Sequence, residues 1–300
     1  KSFRAGLENE MIGYGREISR VKGEIKSSEK TDLEIVLTRG EVAGEKVARK
    51  KYLVNGVYRR ALDFMGNLRA VYFRPEDLEL VTNSPSLRRK YLDSVLVQVD
   101  REYTRCLLSY EKGLRQRNKL LERIRDEGAP RGQLLFWDQL LIRNGEYLTR
   151  KREEFINFVN SYQLSVISYQ LEYDRSIISP ARLEEYANEE VAAAATLVGP
   201  HRDDFAFKLK DRDLHAFGSR GEQRLAILWL KLAELAFISE AVSEKPVLLL
   251  DDIFSELDEA HRNLVLEVIP HQQTIITTTD IHQIDPEFRK KLAAINLGTY

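Results

Sequence analysis

Residues 246–258 read PVLLLDDIFSELD, in which the apolar run 247–250 leads directly into two adjacent carboxylates, Asp251 and Asp252. A short continuous apolar run is typical of a strand buried on both faces, as in a parallel sheet covered by helices. Burial penalises an unpaired charge, so two acids at the end of such a strand require a partner or a cation. The stretch therefore predicts an α/β fold and marks the end of this strand as a candidate site.

Two interpretations of the acid pair are open. Ligands of α/β domains bind beyond the carboxyl ends of the parallel strands. There Asp251 can hold Mg²⁺, and Asp252 can orient the water that attacks a nucleotide phosphate. The alternative is that both carboxylates only cap the following turn. The further acids Glu256 and Asp258 favour the magnesium–nucleotide interpretation, because a strand that ends in this pattern is much rarer than one that ends in a single acid.

A second motif, FGSRGEQR at 217–224, stands at the start of a helical stretch that is apolar on most of its surface. Ser219 and Glu222 fit a capping box, which is a complete structural explanation. A Ser-x-Gly at a helix start also leaves N–H donors and the positive end of the helix dipole open to a phosphate. The motif alone does not distinguish a capping box from a phosphate-binding site. Followed one helix later by the acid-tipped strand, it is typical of ATP-binding-cassette ATPases.

The totals are compatible with a two-domain protein that contacts nucleic acid locally. The chain has 300 residues, enough for two cores, and a net charge of -1. From residue 88 to residue 125 there are 11 Lys/Arg and 5 Asp/Glu, a local charge of +6. The single cysteine, Cys106, excludes an internal disulfide framework and fits a reducing cytoplasm. No apolar run reaches the roughly 18 residues of a membrane span.

The periodicity changes twice along the chain. Residues 17–54 alternate as strands do, Asn55-Gly56 predicts a hairpin turn, and 67–73 predicts another strand. From residue 85 the apolar residues recur every three or four positions, which predicts a long amphipathic helix. A second helix follows it, and we expect the two to pair as an antiparallel hairpin. At Gly199 the β/α character returns. We therefore expect one α/β domain built from 1–84 and 197–300, with a mainly helical insertion at 85–196.

Five stretches occur in the order and spacing of bacterial RecF proteins: GPHRDDFAF, FGSRGEQR, LKLAELAF, PVLLLDDIFSELD and TIITTTD. FRPEDLELV, SPSLRRKYLD and LRQRNKLL resemble that family too, so the resemblance covers essentially the whole chain. It implies an ABC/SMC-type ATPase head with the P-loop NTPase fold and an inserted, mainly helical second domain. It also implies a cytoplasmic repair ATPase that binds ATP, Mg²⁺ and single- or double-stranded DNA and dimerises around ATP. With RecO and RecR such proteins assist RecA loading at single-strand gaps, supporting replication and SOS induction.

Carried over position by position, the resemblance makes Asp251 the magnesium ligand and Asp252 the catalytic acid. The remaining implied sites are the signature that meets the nucleotide of a partner subunit (Ser219, Gly221, Glu222 and Gln223), the loop that meets the partner (Ser255 and Asp258) and the switch region (Thr278 and Thr279). Glu222 replaces the glutamine more usual in the family, which puts a negative charge near the phosphate. The switch region lacks the histidine of transporter cassettes.

One family motif is absent from the sequence, because no G-x-x-x-x-G-K-[ST] occurs in it. In the family this P-loop precedes the part that resembles KSFR at residues 1–4. The phosphate lysine and most backbone donors to the β-phosphate belong to that motif. We therefore expect the whole protein to be a weak DNA-dependent ATPase, the chain as given to be inactive by itself, and some apolar sheet surface to be left uncovered.

Basic residues around the predicted long helix are the candidates for contacts with DNA phosphates: Arg88, Arg89, Lys90, Arg115, Arg117 and Lys119. The alternative is a solvated helix face. In GPHRDD, Arg202 is expected to pair with Asp203 or Asp204, unless the motif lies near the nucleotide interface. Two other functions stay open: another SMC-like or transporter-type cassette, and an ATP-gated DNA clamp or scaffold with little hydrolysis.

Overall fold

The computed structural model describes residues 7–26, 29–162, 169–255, 257–280, 284, 286–290 and 292–295. The chain forms two compact units. The amino-terminal unit comprises Lys1–Leu68 and Asp100–Arg105, and the larger unit comprises Arg69–Val99 and Cys106–Tyr300. The predicted division into a head and an insertion at 85–196 stays a prediction.

The strands are β1 Ile18–Lys26, β2 Lys30–Thr38, β3 Glu41–Val42, β4 Glu45–Lys46, β5 Lys50–Val54, β6 Val57–Arg59, β7 Ala70–Phe73, β8 Tyr169–Asp174, β9 Asp204–Leu209, β10 Arg212–Asp213, β11 Val247–Asp251 and β12 Thr274–Thr277. The α-helices are α1 Ala61–Phe64, α2 Glu79–Thr82, α3 Pro85–Val99, α4 Arg101–Glu127, α5 Leu135–Ser161, α6 Pro180–Glu185, α7 Ala187–Ala193, α8 Leu214–Phe217, α9 Arg220–Val242, α10 Glu259–Val268 and α11 Pro286–Arg289. Short 3₁₀ turns join several of these elements.

The amino-terminal unit contains an antiparallel sheet of order β1-β2-β5-β6. Leu33, Val36 and Leu37 of β2 are buried, with Leu33 and Leu37 on one face of the sheet and Val36 on the other. The turn between β5 and β6 has positive φ at both central residues, 51° at Asn55 and 75° at Gly56. The hairpin predicted from Asn-Gly is therefore confirmed, since a type I′ turn requires this geometry at both positions.

A parallel sheet of order β12-β11-β7 forms the part of the larger unit that carries the acid pair. Val247–Asp251 of β11 lies between β7 and β12, so strands from distant parts of the chain are neighbours, and α9 packs on β7. One face is buried, with Leu248 4% and Leu250 2% exposed, whereas on the other face Ile275 is 53% exposed. Burial on both faces was a wrong expectation for β11, because Val247 and Leu249, whose side chains point to the second face, are only half-buried.

The predicted long helix from residue 85 is interrupted at Asp100, between α3 and α4. The Asp100 carboxylate accepts a hydrogen bond from the backbone N–H of Tyr103 at 2.8 Å. An aspartate that binds the backbone in this way starts a new helix, which is why the apolar period alone did not reveal the break.

Helices α4 and α5 form the predicted antiparallel hairpin. Arg117 of α4 pairs with Asp138 of α5, and Ser109 lies opposite Asn144, so the paired positions run in opposite directions. Gly113 permits the close approach, because a Cβ there would lie 2.6 Å from the Leu140 side chain. Beside these helices, β8, β9 and β10 form an antiparallel sheet of order β10-β9-β8. Among the residues described, no helix combines the length and the apolar character that crossing a membrane requires.

Candidate functional site

Asp251 ends β11 and is held by the two neighbouring strands. Its Oδ2 accepts a hydrogen bond from the Tyr72 hydroxyl of β7 at 2.6 Å, and its Oδ1 accepts one from the Thr277 hydroxyl of β12 at 2.5 Å. Three parallel strands thus bring these groups together at the carboxyl edge of the sheet. This is the edge at which the sequence predicted a ligand site, and it is the edge at which α/β sheets bind their ligands.

The Tyr72 hydroxyl is a donor in this arrangement. Burial and the hydrogen bond to Asp251 raise the pKa of Tyr72 to about 12, since both disfavour the phenolate. The hydroxyl therefore keeps its proton at neutral pH. The side chain of Asp251 is half-buried.

Asp252 adopts the left-handed backbone conformation, with φ at 51°. Its N–H donates to the carbonyl oxygen of Thr277 at 3.0 Å, which extends the ladder between β11 and β12 by one residue. Aspartate tolerates this sparsely populated conformation better than most residues. The chain turns here from β11 into the 3₁₀ turn Ile253–Ser255. The two acids are consequently adjacent in the chain but differ in backbone geometry.

The donor set fits a magnesium ion that arrives with a nucleotide. Within the described ranges, no group of three or more His, Cys, Asp or Glu residues could hold a metal by itself. Magnesium usually keeps several waters and binds through one or two carboxylates together with substrate phosphates. Asp251 and Asp252 supply that number of carboxylates. Their assignment as ligand and catalytic acid stays a prediction.

The start of α9 confirms the capping box. Ser219 Oγ accepts from the Glu222 N–H at 3.2 Å, and Glu222 Oε2 accepts from the Ser219 N–H at 2.8 Å. This backbone hydrogen bond is the main reason that the pKa of Glu222 is lowered. A Cβ at Gly221 would meet open space, so this side of the helix start is accessible. Contact with a partner's phosphate stays a prediction.

Gln223 has a different environment from its neighbours in the motif. Its side chain is buried and donates from Nε2 to the carbonyl oxygen of Leu214 at 2.8 Å, which joins α9 to α8. This bond gives Gln223 an anchoring contact. In the described part of the chain, Ser219 and Glu222 are bonded to each other and Glu222 also to Arg212, whereas Asp251 is bonded to β7 and β12.

The loop after the acid pair is anchored by apolar side chains and ends in a helix cap. Ile253 and Leu257 are buried, and Ser255 lies in the 3₁₀ turn between them. Asp258 caps α10 by accepting from the His261 N–H at 3.0 Å, and its side chain remains exposed. The capping role is thus part of its function, and contact with a partner subunit stays a prediction.

Thr278 and Thr279 directly follow β12, whose last residue, Thr277, accepts a hydrogen bond from the Asp252 N–H at its carbonyl oxygen. Thr278 Oγ1 accepts from the Asp280 N–H at 3.2 Å, which closes a local turn, and Thr279 is exposed. The predicted switch region therefore begins directly after a residue bonded to Asp252, and its role as a switch stays a prediction.

Two of the six predicted DNA contacts are buried ion pairs. Arg88 forms a bidentate pair with Asp204 at 2.6 and 2.9 Å, and Arg117 pairs with Asp138 at 2.6 Å and Glu190 at 2.7 Å. Arg88 is 9% exposed and Arg117 is 2% exposed. The prediction of DNA contact is wrong for both, because buried, fully engaged guanidinium groups do not reach a phosphate at the surface.

The other four basic candidates differ in availability. Arg89 is half-buried and donates to the carbonyl oxygen of Asp203 at 2.8 Å. Lys90, Arg115 and Lys119 are exposed. Arg115 and Lys119 are four residues apart on α4 and therefore share one face of the helix. Lys112 is also exposed on this face, and sequence reasoning missed it although the same spacing would have indicated it.

The GPHRDD segment makes structural contacts within the larger unit, and its predicted proximity to a nucleotide interface stays a prediction. His201 lies between the Tyr110 hydroxyl, 2.8 Å from Nδ1, and the carbonyl oxygen of Thr196, 2.9 Å from Nε2. Burial lowers the pKa of His201 to about 4, so the imidazole is neutral at pH 7. Arg202 also donates to the Thr196 carbonyl at 3.1 Å. The expectation that Arg202 pairs with Asp203 or Asp204 is therefore wrong.

Asp203 and Asp204 pair with Arg152 and Arg88, respectively, and not with Arg202. Asp203 accepts from Arg152 at 2.8 Å, from the Tyr173 hydroxyl at 2.5 Å and from the Ser176 N–H at 2.8 Å. Arg152 bridges further to Asp93. The partners come from separate elements, which is why adjacency in the sequence pointed to the wrong arginine.

Two residues of the site were missed by sequence reasoning, Tyr72 and Thr277. Tyr72 belongs to the stretch 67–73 that was predicted to be a strand, Thr277 belongs to the TIITTTD stretch, and both lie near the ends of their strands. Their signal was the position of a hydroxyl at the carboxyl end of a strand, which becomes informative only once β7 and β12 are known to flank β11.

Comparison with known proteins gives a consistent set of relatives, although no family model matches the chain. The chain is 36% identical over 329 residues to the DNA replication and repair protein RecF of Herpetosiphon aurantiacus, covering 99% of this chain and 85% of that protein. It is 38% identical over 342 residues to the RecF of Thermomicrobium roseum, covering 99% of this chain and 86% of that protein. Solved structures of the recombination mediator RecF-ATPrS and RecF-ATP in the RecFOR pathway superpose with a TM-score of 0.83 at 30% identity. Both matches cover 95% of this chain, together with 81% of the RecF-ATPrS chain and 80% of the RecF-ATP chain.

Proposed function

This chain belongs to the RecF family of DNA replication and repair proteins, and from that premise we propose that it is part of a Mg²⁺-dependent ATPase that acts on DNA. The fold is that of an α/β ATPase. The observation that carries the proposal is the acid pair at the carboxyl edge of the parallel sheet, with Asp251 held by hydroxyls from both neighbouring strands. The similarity to a RecF solved with ATP supports ATP as the nucleotide.

The two acids have separate roles in this proposal. Asp251 would hold the magnesium ion that accompanies the nucleotide, and the ion would neutralise charge on the phosphates. Asp252 would accept a hydrogen bond from the attacking water and orient it towards the terminal phosphate. Its backbone is fixed by the bond from its N–H to Thr277, which limits the positions its carboxylate can take.

ATP would also join two subunits. The accessible helix start at Ser219 and Gly221 offers backbone donors of the kind that bind phosphate, and Asp258 exposes its side chain at the loop after the acid pair. We propose that these surfaces meet a nucleotide and a loop of a second copy of the chain.

DNA would be bound through exposed basic residues without reading its sequence. Lys90, Arg115, Lys119 and the neighbouring Lys112 are exposed, and Arg89 is partly so. Lysine and arginine contacts to phosphates position a protein on DNA and make its affinity depend on salt. In this proposal the protein acts in the cytoplasm at single-strand gaps and junctions with double-stranded DNA. With RecO and RecR it assists RecA loading and thereby supports replication and the SOS response.

A second candidate is an ATP-gated DNA clamp with little hydrolysis. The observation that favours it is Glu222, whose pKa is lowered and whose carboxylate is therefore charged at the start of α9. A negative charge there repels a phosphate and would weaken the contact on which hydrolysis between two subunits depends.

ATP hydrolysis by the full-length gene product, with and without gapped DNA, tests the proposal. We expect slow hydrolysis that DNA stimulates and that Asp252→Asn lowers by about 100-fold or more. ATP-dependent dimers that hold DNA without measurable hydrolysis would select the clamp. Absence of Mg²⁺-dependent nucleotide binding would exclude both.

A further inference from the structure

Both carboxylate oxygens of Asp251 accept a hydrogen bond from a hydroxyl group. Tyr72 donates to Oδ2 at 2.6 Å and Thr277 donates to Oδ1 at 2.5 Å. The donors come from β7 and β12, on opposite sides of β11. A carboxylate held from both sides cannot rotate about its terminal torsion without losing one of these bonds. We call these two groups the hydroxyl clamp.

The Tyr72 ring is itself held in place. The Arg74 guanidinium lies over the ring, 5.6 Å from its centre, and Arg74 Nε donates to Asp77 at 3.2 Å. Asp77 is buried and lies 3.5 Å from Lys231 Nζ. Lys231 belongs to α9, so the tyrosine is linked through Arg74 and Asp77 to the helix that begins at Ser219. The side chain that fixes Asp251 therefore has a defined orientation of its own.

We propose that the hydroxyl clamp of Tyr72 and Thr277 positions the Asp251 carboxylate for Mg²⁺, with Tyr72 as the main positioning residue. The inference rests on the proposed function, because it assigns these hydroxyls to the same magnesium–nucleotide site. A carboxylate has about four lone-pair sites, so two hydroxyl donors do not use its whole capacity as an acceptor. By fixing the plane of the carboxylate, the clamp determines the directions in which its lone pairs point.

The expected effect follows from how supporting groups act in other metal sites. Hydrogen-bond partners that orient a ligand typically change metal affinity by about 10- to 100-fold when they are removed. A hydroxyl that only stabilised the sheet would lower the melting temperature without changing the magnesium requirement. The magnesium requirement for nucleotide binding therefore separates the two roles, and it does not depend on turnover.

Tyr72→Phe removes the hydroxyl and keeps the ring beneath Arg74. Tyr173→Phe is the matched control, because it also removes a tyrosine hydroxyl that donates to an aspartate, Asp203, away from the acid pair. The measurement is the binding of a fluorescent ATP analogue to the full-length gene product while Mg²⁺ is titrated. We expect the half-saturating Mg²⁺ concentration to rise about tenfold or more in Tyr72→Phe and to stay unchanged in Tyr173→Phe. Binding measured in EDTA should be the same in all three proteins.

A second pair of variants keeps the proposal testable if Tyr72→Phe does not fold. Thr277 is exposed. Thr277→Val removes the other hydroxyl at nearly constant shape, and Thr277→Ser retains it. The valine variant should raise the magnesium requirement and the serine variant should restore it. A wild-type requirement in both Tyr72→Phe and Thr277→Val, alongside a lost response in Asp251→Asn, would overturn the clamp and leave the proposed function intact. Absence of any magnesium response in the wild type would overturn the proposed function itself.

Discussion

Arg152 of α5 and Asp203 form an ion pair at 2.8 Å in which the side chains are 3% and 0% exposed. The pair joins the helical hairpin to the segment before β9. Arg152 also donates to the Pro200 carbonyl, and Asp203 also accepts from Tyr173 and Ser176, so both charges have several partners. These two residues are a structural link within the larger unit.

Arg152→Met should destabilise the protein strongly, because it leaves the Asp203 charge buried without its main counter-charge. Removing one partner of a buried ion pair typically costs about 3–5 kcal/mol. Urea unfolding followed by circular dichroism measures the change. Arg150→Met on the same helix is the control, since its side chain is 62% exposed and should change stability by less than about 0.5 kcal/mol. Similar losses in both variants would contradict the structural role of the pair.

Because of the lowered pKa of His201, we expect the free energy of unfolding to depend on pH. Its pKa is lowered from 6.5 to about 4 by burial, so the unfolded chain binds a proton between these values and the folded chain does not. The stability that the neutral imidazole contributes is present above pH 6.5 and is lost as the pH falls towards 4, by up to about 3 kcal/mol. His201→Gln should flatten this part of the profile, whereas His271→Gln, at an exposed position, should not. Unfolding free energies at pH 7.5, 5.5 and 4.5 decide the matter, and identical slopes in both variants would contradict it.

The two acids should separate binding from turnover. Asp251→Asn should weaken Mg²⁺-ATP binding itself. Asp252→Asn should retain binding and lower kcat by about 100-fold or more, because a group that assists proton transfer contributes chiefly in the transition state. Nucleotide affinity, steady-state hydrolysis and Tm are measured for both. Equal losses of Tm with no difference between binding and turnover would support the alternative in which both carboxylates only cap a turn.

Glu222→Gln should strengthen ATP-dependent dimerisation. Glutamine can keep the capping box with Ser219, since either residue serves at this position, but it removes the charge. Ser219→Ala is the contrasting variant and should cost about 1 kcal/mol of stability through the lost cap. Light scattering with and without ATP measures the dimer. A weaker dimer in Glu222→Gln would show that the carboxylate is needed for more than capping.

The exposed basic face of α4 should account for part of the salt dependence of DNA binding. The double variant Arg115→Gln with Lys119→Gln should reduce the slope of log affinity against log salt by about 2, one for each phosphate contact. Lys245→Gln, at an exposed position outside α4, is the control. An unchanged slope in the double variant would remove these two residues from the DNA interface.

Local chemistry was enough to predict several features from the sequence. The hairpin at Asn55-Gly56 depends on two backbone conformations, and the cap at Ser219 and Glu222 depends on one helical turn. The acid-tipped strand at 247–251 was evident from four apolar residues and the two acids after them. Each of these patterns is complete within a few residues, so no knowledge of distant segments was required. The match to the family extended this reading to the whole chain.

The tertiary structure decided which charges are available and what holds the acid pair. Arg88 and Arg115 look alike in the sequence, yet Arg88 is buried against Asp204 and Arg115 is exposed. Tyr72 and Asp251 are 179 residues apart and meet only because β7 pairs with β11 in parallel. Periodicity indicates which face of an element is apolar, but it does not identify the element that packs against it. The partner of a charge is set by that packing, because burial and a neighbouring counter-charge act through space and not along the chain.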